Sequence, residues 1–369
     1  NLSRNNNWMD DDLKSIVKEG AGEQDKAEQI YTYLQGFQVT GMGGIYLSKS
    51  LREILKSKSG KSQDINLLLT AMLRHVGLTA DPVLLSTISN GRPNPFYPLM
   101  DRYNYVICRL MLNGEPVFLD ASQSYLGFGK LPTYAYNGQI RIITKNEAVP
   151  LMLSPDMLSE SKMTSVMLYN DEKEPGNWSG NFNVSYGYNE SSNIRGFIID
   201  KGKDAFIKKI NEPFTGDFSV AETEIDNLDD KVSPIKVSRK LTIANSGAPS
   251  IIYFSPLMHE AYKENPFKAK ERKFPVEFPY KTDEVFILKL EIPTGYEVDE
   301  MPKSEKATFN ESDGFIEYII EKSATEVNLR CRIKFEKATF EPEDYENIQA
   351  FFDYIVKKQA EKIVFKKKS

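Results

Sequence analysis

At 369 residues the chain has the length of two domains, and 40% hydrophobic with 27% charged residues describes an ordinary globular composition. A net charge of −5, with no basic block before the C-terminal lysines, argues against nucleic acid as a main partner. No run approaches the roughly 18–20 apolar residues of a membrane span.

The sequence opens on NLSRNNNW, without an initiating Met or a signal peptide, which reads as a processed or trimmed chain. Residues 8–19 predict a short helix with Asp10 to Asp12 at its positive end. Residues 24–37 carry Ala27, Ile30, Tyr31 and Leu34 at helical spacing. TGMGG follows as a glycine loop without a GK[ST] or GxGxxG frame, so no nucleotide cofactor is expected. Ser50 and Glu53 form a capping box ahead of Leu51, Ile54 and Leu55. In SGKSQDINLLLTAMLRHVGL, Ile65, Leu68, Leu69, Met72, Leu73 and Val76 lie on one 3.6-period stripe, and Gly77 is a natural stop. Ser62 falls at the start of that helix.

DPVLLSTIS predicts a strand, and NGRPNPFYP a loop. Residues 103–112 alternate, with Tyr103, Tyr105, Ile107, Arg109 and Met111 on one face and Cys108 on the other. Asn113-Gly114 turns the chain into a return strand ending at Asp120. IRIIT at 140–144 closes the unit. Beyond about residue 148, short β runs punctuated by turns predict an antiparallel sandwich. GKDAFIKKI is a local helix, and EPEDYENIQAFFDYIVKKQAEK an amphipathic C-terminal helix. Cys108 and Cys331 sit in separate strand-like runs and read as buried thiols, and with two His and two Cys no metal site is expected.

Gly60-Lys61-Ser62, the polar pair Gln63-Asp64, and then Leu67 to Leu69, Leu73, Arg74 and Gly77 resemble the active-site helix of the bacterial transglutaminase-like family. That family is a branch of the papain-like cysteine enzymes. Its nucleophilic cysteine falls on Ser62. Its aromatic-Asn-His landmark appears as Tyr103-Asn104-Tyr105, which puts the histidine on Tyr105. Its aspartate is retained as Asp120 in VFLDAS. NPFKAKERKFPVEF and the later helix resemble the β-domain that follows this unit in Bacteroidetes multidomain proteins, which usually carry a further β-domain ahead of it. The resemblance implies an α+β chain: a papain-like transglutaminase-like domain over 1–147 and an antiparallel β-sandwich domain with a C-terminal helix over 148–369. It also implies a piece of a longer protein, lacking an N-terminal β-domain, in the periplasm or on the cell surface of a Gram-negative bacterium.

The family mechanism needs a thiolate, an imidazole beside it and a carboxylate to orient the imidazole. A serine hydroxyl needs a base, and a neutral tyrosine is not one. His75 lies about 20 Å along the helix from Ser62 and cannot be the base. The expected reading of Ser62, Tyr105 and Asp120 is therefore a degenerate triad. Ser62 acts as a helix N-cap toward the Asp64 or Ile65 amide, and Tyr105 fills the cleft against Asp120. Asp64 is a first-turn dipole partner or a spare acid. Phe96, Tyr97, Tyr103 and Tyr105 are candidates for a platform that binds a polypeptide or cell-envelope ligand. The rival expectations are a hydrolase that was inactivated by engineering or uses unusual catalytic residues, and a structural protein with a filled cleft.

Overall fold

The computed structural model describes residues 2, 6–245 and 249–368. The chain divides into two compact units, residues 1–157 and 158–369. Among the described residues, no helix is long and apolar enough to cross a membrane.

The first unit is built around one helix. Four helices, α1 (Asp10–Ile16), α2 (Glu23–Gln35), α3 (Leu51–Ser57) and α4 (Ser62–His75), precede a five-stranded sheet. Its strands are β1 (Ala80–Leu85), β2 (Tyr105–Leu112), β3 (Glu115–Leu119), β4 (Gly138–Ile143) and β5 (Ala148–Leu153), in the order β3-β2-β1-β4-β5. Every pairing is antiparallel. Helix α4 packs on β1 and β2 and against α2 and α3. It is consequently buried on more than the expected stripe: every residue from Ser62 to Leu73 is inside, including Asn66, Leu67 and Thr70. It ends as the sequence predicts. Gly77, at φ +87°, donates its N–H to Arg74 O, and Leu78 donates to Leu73 O, which together make a Schellman stop. The capping box at Ser50 and Glu53 is also in place.

Two sequence expectations shift in this unit. The sheet continues through β5, so the unit runs to Met157 and not to 147. Regular alternation starts only at Tyr105. Tyr103 therefore packs with the α4-side core beside Val106 and Cys108, whereas Tyr105 and Ile107 face the opposite cluster.

The second unit carries a mixed sheet. Its chain order is β6 (Ser159–Asn170), β7 (Trp178–Tyr186), α5 (Tyr188–Lys201), α6 (Lys203–Asn211), β8 (Phe218–Asp226), β9 (Lys236–Ile243), β10 (Ile251–Phe254), β11 (Lys281–Glu291), β12 (Tyr296–Glu300), β13 (Glu305–Phe309), β14 (Gly314–Lys322), β15 (Glu326–Phe335), α7 (Tyr345–Gln359) and β16 (Ile363–Lys367). Eight strands run β8-β9-β7-β6-β11-β15-β14-β13, and three run β10-β16-β12. The expected antiparallel sandwich is corrected in two respects. The β6–β11 pairing is parallel. The layer opposite the large sheet is the small sheet together with α7: Trp178 meets Phe254 and Phe365, while Phe335 meets Phe351 and Phe352. Helix α5 has no clear signal in the sequence, because Ser191, Ser192 and Arg195 are buried polar residues that blur any apolar stripe. Its N-terminus is held by a distant residue, Glu160, which accepts the Asn189 and Glu190 amides.

Candidate functional site

Ser62 is the first residue of α4 and fully buried. The N-cap position belongs to Lys61, so the expected capping by Ser62 is corrected. Its Oγ instead accepts the Gly43 N–H at 3.0 Å, and its own N–H donates to Gly41 O at 2.9 Å. The glycine loop thus lies across the helix start. Gly44 N–H donates to Asn104 O at 2.6 Å, and Met42 Sδ accepts from Gln123 Nε2 at 3.5 Å, so the strap reaches the residues around Tyr105.

The strap needs glycine. Gly43 and Gly44 have φ of +87° and +109°, and a Cβ on Gly44 would stand 2.6 Å from Gln63 Nε2. Gly44→Ala is expected to cost about 1–3 kcal/mol in urea unfolding, from backbone strain and displacement of the buried Gln63. A loss below about 0.5 kcal/mol would mean that the strap yields easily.

Asp64 staples the same segment. Its carboxylate accepts the Lys61 N–H at 2.9 Å, the Ser48 N–H at 2.7 Å and the Ser48 hydroxyl at 2.5 Å. With its oxygens occupied and its side chain buried, it holds the loop to the helix rather than facing a ligand.

Tyr105 and Asp120 meet. The phenol donates to Asp120 Oδ2 at 2.9 Å, and both residues are buried. Asp120 Oδ1 accepts from Asn66 Nδ2 at 2.8 Å, Ser122 Oγ at 2.7 Å and Ser122 N–H at 3.1 Å. Asn66 lies one turn beyond Ser62 on α4. Its Nδ2 also donates to Val106 O, and its Oδ1 accepts the Ala121 N–H. Gln123 Nε2 donates to the Tyr105 phenol at 3.2 Å, and Tyr134 Oη lies 3.3 Å from it. The Tyr105 and Tyr134 rings meet edge to face at 5.7 Å. Burial raises the pKa of both phenols, as does the neighbouring Asp120 charge, so both are neutral donors. Burial also raises Asp120, although the bonds from Asn66, Ser122 and Tyr105 pull the other way.

Residues 250–365 match the family model described as a domain of unknown function with solved-structure structure (DUF3858). The solved structure of a putative protease from Parabacteroides distasonis ATCC 8503 is similar over 99% of this chain, with a TM-score of 0.53 and 11% identity. At that identity the likeness is one of fold. The chain spans 56% of that protein's length. No curated protein matches the chain.

The other candidates separate by burial. Tyr103 is buried, with its hydroxyl 3.4 Å from Arg141 Nε, whereas Phe96 is 85% and Tyr97 72% exposed. Of the candidate platform, only these two reach solvent. His75 pairs with Asp10 at 2.6 Å. His259 is half-buried with its ring edge-on to Phe214 and Phe218. Burial pushes the Cys108 thiol up to about 12 and Cys331 up to about 11, which leaves both as inert thiols. Asn66, Ser122, Gln123 and Tyr134 are site residues that the sequence reading misses. The one available signal is Asn66, a polar residue four positions after Ser62 within an apolar helix.

Proposed function

We propose that the chain is a non-catalytic transglutaminase-like protein with a papain-like first unit. It acts as a binding or scaffold module for a polypeptide or another cell-envelope ligand. The observation that carries this reading is the Tyr105 phenol on the Asp120 carboxylate, where the family mechanism requires an imidazole. The strap over Ser62 supports it, because no substrate carbonyl reaches a fully buried hydroxyl. By the family resemblance we place the protein in the periplasm or on the surface of a Gram-negative bacterium, as part of a longer polypeptide.

The second reading is a hydrolase, favoured by the description of the similar structure as a putative protease. The two separate in one assay. The chain and its Ser62→Ala variant are incubated with unfolded protein and with peptide amides at several pH values. Equal, background-level cleavage is expected from both. Cleavage by the unmodified chain that disappears in Ser62→Ala would establish the hydrolase.

A further inference from the structure

The segment between β1 and β2 exposes apolar side chains in series. Ile88 is 50% exposed, Phe96 85%, Tyr97 72%, Leu99 56% and Met100 49%. Isolated apolar residues at a surface are ordinary, but five within one loop are not. The loop holding them is braced. Asn94 Oδ1 accepts the Phe96 and Tyr97 N–H groups at 2.8 and 3.1 Å, and the Leu99 N–H closes on Tyr97 O at 2.9 Å. Pro93, Pro95 and Pro98 fix three further backbone angles. At the base, Asn137 Nδ2 donates to the carbonyls of Ser86, Thr87 and Gly91, and Asn90 Nδ2 donates to Arg102 O. The fold therefore presents these side chains in a fixed arrangement instead of letting them collapse inward.

Shape and charge select the occupant. Phe96, Tyr97, Leu99 and Met100 lie within five residues, and at 85% and 72% exposure Phe96 and Tyr97 protrude from the loop rather than line a groove. A stable protein interface draws on about 20–30 residues and about 800 Å² per partner, more than such a tip supplies. A bilayer interface accepts a protruding apolar tip without a matching pocket, and it favours aromatic rings at headgroup depth. The loop's charges are Arg92 and Arg102 against Asp101, and Arg102 is exposed at the loop's base, where it would meet lipid phosphates. We propose that loop 88–103 is a membrane-interface anchor: Phe96, Tyr97, Leu99 and Met100 enter the headgroup region of a phospholipid bilayer, with Arg102 at the phosphates. This goes beyond the proposed function and is independent of any chemistry at Ser62.

The test is co-sedimentation of the chain with vesicles of phosphatidylethanolamine and phosphatidylcholine, and with vesicles containing added phosphatidylglycerol. Binding to both is expected, because the apolar tip supplies the attraction and the chain as a whole is negative. The Phe96→Ser/Tyr97→Ser variant is expected to bind at least about tenfold more weakly, because it removes the two most exposed apolar side chains of the loop. Its thermal midpoint should be unchanged, since both side chains are exposed. A Phe96→Trp variant should gain fluorescence quenching by brominated lipids relative to the unmodified chain. Absence of vesicle binding, or equal binding by the serine variant, overturns the proposal. So does a concentration-dependent dimer that the serine variant abolishes without any vesicle binding, which would assign the tip to a second copy of the chain.

Discussion

Asp120→Ala is expected to destabilise the first unit by about 3–5 kcal/mol, and Asp120→Asn by less than about 1 kcal/mol at neutral pH. Alanine removes the acceptor that Asn66, Tyr105 and Ser122 share and opens a gap in a buried polar cluster, leaving Asn66 with only its bond to Val106 O. Asparagine keeps one acceptor oxygen for Asn66 and Ser122. It turns its amide toward the Tyr105 oxygen, whose proton can then move to Tyr134 or Ser122. The difference between the two substitutions separates loss of the hydrogen bonds from loss of the charge.

The pH dependence follows from the direction of the Asp120 shift. Burial is its leading cause and raises the carboxyl above its ordinary value. A carboxyl raised on folding contributes stability that is complete below its unfolded pKa, near 3.9, and is lost as pH rises through the folded value. Native protein therefore loses this contribution upward from about pH 4, and Asp120→Asn has none to lose. The stability of Asp120→Asn relative to native should rise with pH over that window, as read from urea midpoints measured at intervals from about pH 4 to 8. A relative stability that falls with pH would mean that the hydrogen bonds outweigh burial and hold Asp120 ionised. A carboxylate kept ionised by its partners is what a catalytic triad requires; burial that raises the carboxyl works against that.

What could be read in advance follows the range of the interactions. The boundaries of α4, the capping box at Ser50, the Asn113-Gly114 turn and the strand runs of the second unit are local patterns, and propensity and periodicity report them. Placing Tyr105 beside Asp120 needed only the hairpin between β2 and β3 and the family landmarks. Gly43 on Ser62, Asn66 on Asp120 and Tyr134 on Tyr105 are different. Each joins segments separated by 19 or more residues, and each uses a residue type with no local signature. The same holds for α5, whose start is fixed by Glu160 from a strand. Local patterns thus place Ser62, Tyr105 and Asp120, and the long-range polar contacts determine that all three are buried.

On the proposed reading, giving this chain the family's cysteine and histidine at positions 62 and 105 should not create an enzyme. In a Ser62→Cys/Tyr105→His variant, the new thiol lies under the strap, where Ser62 has no exposure, with the Gly43 N–H directed at it. Sulfur is larger than oxygen, and a buried small-to-large change costs about 1–3 kcal/mol. Histidine lacks the length of tyrosine, so its ring does not span the site to both Asp120 and Tyr134, and a gap opens in a packed cluster. Alkylation of the introduced thiol in the folded variant is expected to run at least about a hundredfold slower than in the unfolded chain, equivalent to an opening cost of about 2.8 kcal/mol. Amide hydrolysis should stay at background. A fast-reacting thiolate near neutral pH, accompanied by a burst of acyl-enzyme, would reverse the conclusion. It would show that the strap opens readily, that the scaffold still positions a working dyad, and that only two side chains separate this chain from a cysteine hydrolase. Simpler variants locate the barrier. If the thiol of Ser62→Cys alone is protected and adding Gly44→Ala exposes it, the strap closes the site. If it stays protected in both backgrounds, the strap is not the barrier.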